Sequence, residues 1–229
     1  FLITYLGKDV LMPWAAPDSG VHKAWLDVTS VYLRGTVGLA VVAGLGMAFV
    51  RKSNREGFGS ARGLAMAYLV AFVIVTSIQA IDMLMALDPH WVSSLFGGHI
   101  FSGNIYAGIG LAYLLTAAMQ RWLGVGGHLS LEFQMNARSN MGKMLFSFSM
   151  IWIYMFWSQH LVIWYGNLPH ETGYMTLRLA SQPWQTISYI VLLLNFILPF
   201  VLLIPRAAKL SQPLLLALSA GVILGTWLE

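Results

Sequence analysis

The stretch VTSVYLRGTVGLAVVAGLGMAFV, residues 28–50, decides the fold. Crossing roughly 30 Å of hydrocarbon takes about 20 helical residues, and this run supplies them with a single charge, Arg34. Further runs of the same kind follow it. Residues 64–87 carry one charge, Asp82, while residues 95–119, 144–166 and 185–204 carry no Asp, Glu, Lys or Arg. A last run occupies residues 213–229. The pattern predicts an all-α, polytopic transmembrane helix bundle of six spans, preceded by an outer-face segment over residues 1–27. Phe1–Leu6 reads as the tail of an earlier span, and the whole as an interior piece of a longer protein.

Composition agrees with that reading. Of 229 residues, 58% are apolar and 10% charged, against about 25% charged in soluble domains. So few charges cannot cover a water-facing surface, which excludes a soluble enzyme, a disordered chain and a collagen-like one. With no Cys, these residues form no disulfide, thiolate metal site or Cys-held iron–sulfur cluster. Basic residues gather in the turns 51–62, 121–143 and 206–209, whereas the opposite turns hold only Lys8, Lys23 and Arg178. By the positive-inside rule the first set faces the cytoplasm. The outer side then collects Asp9, Asp18, Asp27, Asp82, Asp88 and Glu171, with His22, His90 and His170.

Ionisable groups inside spans cost about 2.5–3.5 kcal/mol on insertion scales and need a partner or a purpose. Arg34 and Asp82 both lie about 8–9 Å below the outer boundary at the rise of a helix, on helices consecutive in sequence. That depth permits an ion pair, either structural or setting up a proton-accepting carboxylate. Gln79, Ser77 and Thr76 continue a polar line below Asp82 that can hold water. Pro89 predicts that the second span ends at Asp88. This leaves Asp88 and His90 at the surface beside Trp91, as a capped turn or a proton-exchanging pair.

The fourth run is the richest in rings. Trp157, His160 and Trp164 follow i, i+3, i+7 and share a helix face. That face suits a flat redox-active ring such as a quinone head, although such stripes also serve as lipid-facing or packing surfaces. His99 and His160 are alternative ligands for one b-type haem, and no further histidines are placed to hold a second. Gly103, Ala107 and Gly110 form a small-residue face for close helix packing. Pro199 predicts a kink that frees the carbonyl of Asn195; helix packing alone accounts for such a kink, and the freed carbonyl could also take a water or an ion, as in a secondary transporter.

Three segments carry a family likeness: Leu87-Asp-Pro-His-Trp91, the run from Trp157 to Thr172, and Asn195-Phe-Ile-Leu-Pro-Phe200. With Lys23-Ala-Trp-Leu-Asp-Val and Arg34, they resemble the second quinone-binding membrane subunit of alternative complex III, which is similar to the polysulfide-reductase membrane subunits. The likeness runs from about residue 22 to 229. It implies about ten spans, a bacterial plasma-membrane location, and quinol oxidation near the outer face coupled to proton translocation. It also implies partner subunits carrying c-type haems and iron–sulfur clusters, with a quinone or menaquinone as the ligand here and no haem or cluster in this chain.

Carried over, Asp88, His90, Trp164, Tyr165, Asn167 and Glu171 are the outer-face motif residues, with Arg34 and Asp82 in matching regions. Two positions depart: the family leads one to expect Tyr or another ring at His160 and an acid at His170. The resulting expectation is a membrane subunit of a quinol:electron-acceptor oxidoreductase. Asp82, Asp88, His90 and Glu171 would accept protons, and Trp157, His160, Trp164, Tyr165 and Asn167 would line the quinol pocket. The alternatives are a proton-conducting or structural subunit without its own quinol site, and a secondary transporter.

Overall fold

The computed structural model describes residues 14, 25–88, 91–124 and 130–229. Every regular element among them is helical. The chain divides into two compact units, residues 1–101 and 102–229, with the division falling inside one helix.

In the first unit α1 covers Val28–Glu56. Asp27 starts it, its carboxylate accepting the Ser30 N–H at 3.1 Å, and Gly57 stops it at a φ of +86° that a side chain would resist. The helix runs past Val50 because residues 51–56 are mostly good helix formers; apolarity marked only the part that suits hydrocarbon. A 3₁₀ turn (Phe58–Ala61) leads into α2 (Arg62–Gln79), which continues as a π-helical turn (Ala80–Leu84) and a 3₁₀ turn (Met85–Leu87). Asp88 leaves the helix in extended conformation, as the proline after it requires. α1 and α2 pack antiparallel where glycines let backbones approach. A Cβ on Gly38 would lie 2.7 Å from Val75, and one on Gly46 would lie 3.3 Å from Tyr68.

α3 (Phe96–Leu123) begins in the first unit and passes into the second. There follow α4 (Leu131–Gly166), α5 (Pro169–Ala180), α6 (Trp184–Leu192), a π-turn (Leu193–Ile197), α7 (Leu198–Leu202), a 3₁₀ turn (Ala208–Leu210) and α8 (Gln212–Leu228). α4 starts well before the predicted residue 144. Ser130 caps it, and its polar first turns reach Arg138, which donates to the Gln212 amide at 3.0 Å. α5 occupies most of the connection between the predicted spans 144–166 and 185–204. Pro169 in its first turn, Glu171 near its start and Arg178 near its end are all favourable for a helix; the segment is simply too polar to have registered as a span. The small face of α3 meets α8: a Cβ on Gly103 would touch Thr226, and one on Gly110 would lie 3.1 Å from the Ser219 carbonyl. The second core gathers Tyr106, Leu145, Trp152, Val191, Leu215 and Val222.

Among the described residues, four stretches are long and apolar enough to cross a membrane: α1, residues 58–87, α3 and residues 184–202. α8 is equally apolar in character but has 17 residues, and the Trp, Tyr, Ser, Gln and His residues of α4 lower its hydropathy. Large apolar side chains such as Leu33, Val70, Leu115 and Tyr154 also face outward, while Asp82, Ser102, Ser149, Asn195 and Ser219 lie buried beside the apolar core. Lipid in place of water gives that outward apolarity a physical reason.

Candidate functional site

In the first unit the structure brings Arg34 and Asp82 together. Asp82 is 2% exposed and sits in the middle of the π-turn Ala80–Leu84. Its Oδ2 accepts from Arg34 Nε at 3.0 Å and lies 2.9 Å from Arg34 Nη2. Its Oδ1 accepts from the indole N–H of Trp25 at 2.9 Å. Arg34 also donates to the Trp25 carbonyl at 3.0 Å, and its guanidinium stands 4.3 Å from the Trp25 ring centre. An ionised carboxylate offers about four acceptor positions; three donors leave room for about one more, on Oδ1. Arg34 and Trp25 reach the exterior of the unit while the carboxylate does not. The cluster therefore presents a cation and an aromatic ring outward and keeps an anion inside.

The polar line below Asp82 is only partly aimed at it. Gln79 reaches across to α1, donating to the Gly35 carbonyl at 3.2 Å, and the Thr76 hydroxyl bonds its own helix at Phe72 O, 2.6 Å. The α3 backbone comes close to Ser77, where a Cβ on Gly97 would lie 3.0 Å from the Ser77 Cβ. Asp88 is half-buried at the helix exit, its carbonyl accepting the Trp91 N–H at 3.1 Å. His90 lies outside the described residues, as does nearly all of the predicted outer-face segment 1–27. At the other end of α1 and α2, a shallow recess of ≈ 460 Å³ opens beside Val42, Met47, Arg51 and Tyr68.

The remaining predicted residues lie in the second unit. Trp157, Trp164 and Tyr165 are 62%, 74% and 86% exposed on the outside of α4. His160, between them in the helical register, is half-buried; its ring lies 4.0 Å from the Phe156 ring, with Nδ1 2.7 Å from the Phe156 carbonyl. If Nδ1–H donates there, Nε2 is the nitrogen able to take a proton. These residues offer stacking faces and one polar edge to a flat ring, but no wall closes over them within their unit.

Asn167 has a conformational task of its own. It is the left-handed residue that stops α4, at φ +45°, with its N–H on Ile163 O at 2.9 Å. Asn is among the few side chains that tolerate that region. Glu171 is half-buried in the first turn of α5, where the helix dipole favours a carboxylate.

Three polar arrangements carry no motif in the sequence. Trp25 precedes α1 inside the run Lys23-Ala-Trp-Leu-Asp-Val, and only the fold turns its indole onto Asp82. The buried Trp152 donates its indole N–H to Glu229 Oε2 at 3.0 Å, pairing residues remote in sequence. The Tyr106 hydroxyl donates to the Asn195 carbonyl at 3.2 Å; here Pro199 gives a signal, because it lacks the N–H that would otherwise take this carbonyl. No protein-family model matches the chain, and no curated protein matches it.

Proposed function

We propose that this chain is an integral membrane subunit of a quinol:electron-acceptor oxidoreductase, resembling the second quinone-binding membrane subunit of alternative complex III. In this reading Asp82 is a proton-accepting carboxylate on the outer half of the membrane. One observation carries it: Asp82 is buried in a π-helical turn of an apolar helix, held by Arg34 and Trp25, with about one acceptor position left on Oδ1. Structural carboxylates rarely survive in such a place without a partner, and π-turns are frequent at functional sites.

Oxidation of a quinol releases protons along with electrons, so its site needs bases and an electron acceptor. Asp82, Asp88, His160 and Glu171 supply bases, and His90 is a further one by sequence. Electron carriers would come from partner subunits bearing c-type haems and iron–sulfur clusters. A bacterial plasma-membrane location, six spans in this stretch and about ten in the whole protein belong to the same reading. The exposed rings of Trp157, Trp164 and Tyr165 would stack on a quinone or menaquinone head, with a neighbouring element supplying the opposite wall.

That openness also favours a second reading, a proton-conducting or structural subunit with no quinol site of its own. One experiment separates the two. The tagged chain carrying Asp82→Asn is purified with its complex from native membranes and reconstituted in liposomes, and quinol oxidation and proton release are measured together. A quinol-site role predicts turnover lower by ~10²-fold or more, the scale of a lost general base. A proton-conducting role predicts near-normal turnover with fewer protons moved per electron. Unchanged values of both quantities would refute both roles for Asp82.

A further inference from the structure

The side-chain amide of Asn195 lies at the centre of the second unit, fully buried, in the middle of the π-turn Leu193–Ile197. Neither its Nδ2 nor its Oδ1 pairs with a protein group among the described residues. Its surroundings are close: a Cβ on Gly225 of α8 would fall 2.3 Å from Oδ1, so only glycine permits the present position. The main-chain carbonyl of the same residue accepts the Tyr106 hydroxyl at 3.2 Å. The Ser219 hydroxyl on α8 is another fully buried group without a protein partner among the described residues.

We propose that the Asn195 amide is a binding site for internal water, fixed at mid-helix by the π-turn. Leaving a buried amide unpaired costs about 1–3 kcal/mol, so retaining one in an apolar bundle requires a ligand. The unmet set contains both donor and acceptor. A metal cation would satisfy Oδ1 and leave the Nδ2 hydrogens facing positive charge. An anion would satisfy Nδ2 and repel Oδ1. Water gives and takes hydrogen bonds and is neutral, so it meets the whole set, as internal waters characteristically do for buried polar groups. The π-turn supplies the place, because its widened turn moves backbone groups out of ordinary helical pairing. This site lies in a different unit from Asp82 and does not depend on the quinol reading.

The test is a cryo-electron-microscopy map of the intact wild-type protein or its complex in lipid nanodiscs, at a resolution that shows ordered internal waters elsewhere. The expected result is density about 2.7–3.2 Å from Nδ2 or Oδ1 that persists when sodium is replaced by a bulky organic cation. X-ray hydroxyl-radical footprinting of the same sample, which labels side chains beside bound water, is expected to mark Tyr106 or Leu194, and to lose that mark in Asn195→Leu. A map with other internal waters but none at Asn195, or density that vanishes with sodium, would overturn the proposal. So would labelling in the wild type no greater than at the buried Leu145. The map and the wild-type labelling need no variant, so both still decide the matter if Asn195→Leu fails to fold.

Discussion

Gly225→Ala tests the packing of the second unit at its tightest point. The new Cβ would meet Asn195 Oδ1 at 2.3 Å, Asn195 Cγ at 2.9 Å and Leu194 Cβ at 3.1 Å. Ordinary contact begins near 3.4 Å, so the shortest of these is about 1 Å too close. The Asn195 main chain is held by the Tyr106 hydroxyl on its carbonyl, so relief has to come from its side chain or from α8. α8 must therefore withdraw from the π-turn or the Asn195 rotamer must change. Overpacking of this kind costs about 1–3 kcal/mol, against a gain of roughly 0.5–1 kcal/mol from replacing a mid-helix glycine.

The net expectation is a loss of about 1–2 kcal/mol. Gly221→Ala, one turn earlier, is the control: its Cβ would sit 3.5 Å from Leu194 Cδ2, ordinary contact, so it should be neutral or slightly stabilising. Both are read by thermal unfolding of the purified protein in one detergent. Placing Gly225→Ala on an Asn195→Ala background should recover about 1 kcal/mol of the loss, the coupling expected of residues in contact. Equal behaviour of Gly225→Ala and Gly221→Ala, or additive effects in the double variant, would refute the proposed contact between Asn195 and α8.

Other expectations are checked in the same assay or in the reconstituted complex. Asn167→Ala should cost about 1 kcal/mol, because the side chain is placed in the left-handed region, whereas Asn167→Gly should be tolerated; a larger loss for Gly would argue against the C-cap role. Trp164→Ala should change stability by no more than about 0.5 kcal/mol, since the ring faces outward, so a large loss of turnover in that variant would assign the ring to binding rather than to folding. Trp25→Phe keeps the ring beside Arg34 and removes the donor to Oδ1, costing about 1–3 kcal/mol for a lost hydrogen bond to a charged group. Arg34→Lys should cost more than Trp25→Phe, because a lysine cannot reproduce the two guanidinium contacts to Oδ2; the reverse order would mean that the indole, not the cation, holds the carboxylate.

Much of the helical layout was readable because hydrocarbon imposes one demand, an apolar stretch of sufficient length, and the residues 28–50 meet it unaided. Arg34 and Asp82 could be matched by depth alone, since rise per residue is fixed and consecutive spans run antiparallel. The Gly103–Gly110 face could be read as packing surface because absence of side chains has only one steric meaning. Polar helix was less legible. The first turns of α4 and all of α5 lack apolar length, and their evidence lies in caps and end charges such as Ser130, Pro169 and Arg178. The ring stripe Trp157–Trp164 was legible only as a shared face: aromatic residues serve lipid as readily as ligand, and helical spacing does not fix what covers them.

The contacts made by the two buried polar centres were less legible for a more specific reason. Face assignment from sequence assumes about 100° of rotation per residue throughout a helix. A π-turn inserts one residue, so everything beyond it is rotated by about that angle relative to the simple count. Both polar centres lie at such insertions: Asp82 is the middle residue of Ala80–Leu84, and Asn195 that of Leu193–Ile197. Pro199, four residues past Asn195, explains the second through the carbonyl it leaves open. Pro89 is seven residues past Asp82 and too distant to act in that way, so the first π-turn has a different origin. The contacts that reward it are the three donors on Asp82, all from Trp25 and Arg34. If those contacts pull the turn open, Asp82→Leu combined with Arg34→Leu should return residues 80–84 to ordinary α-helix. A map of the double variant in which the π-turn survives would place its cause in the local sequence instead.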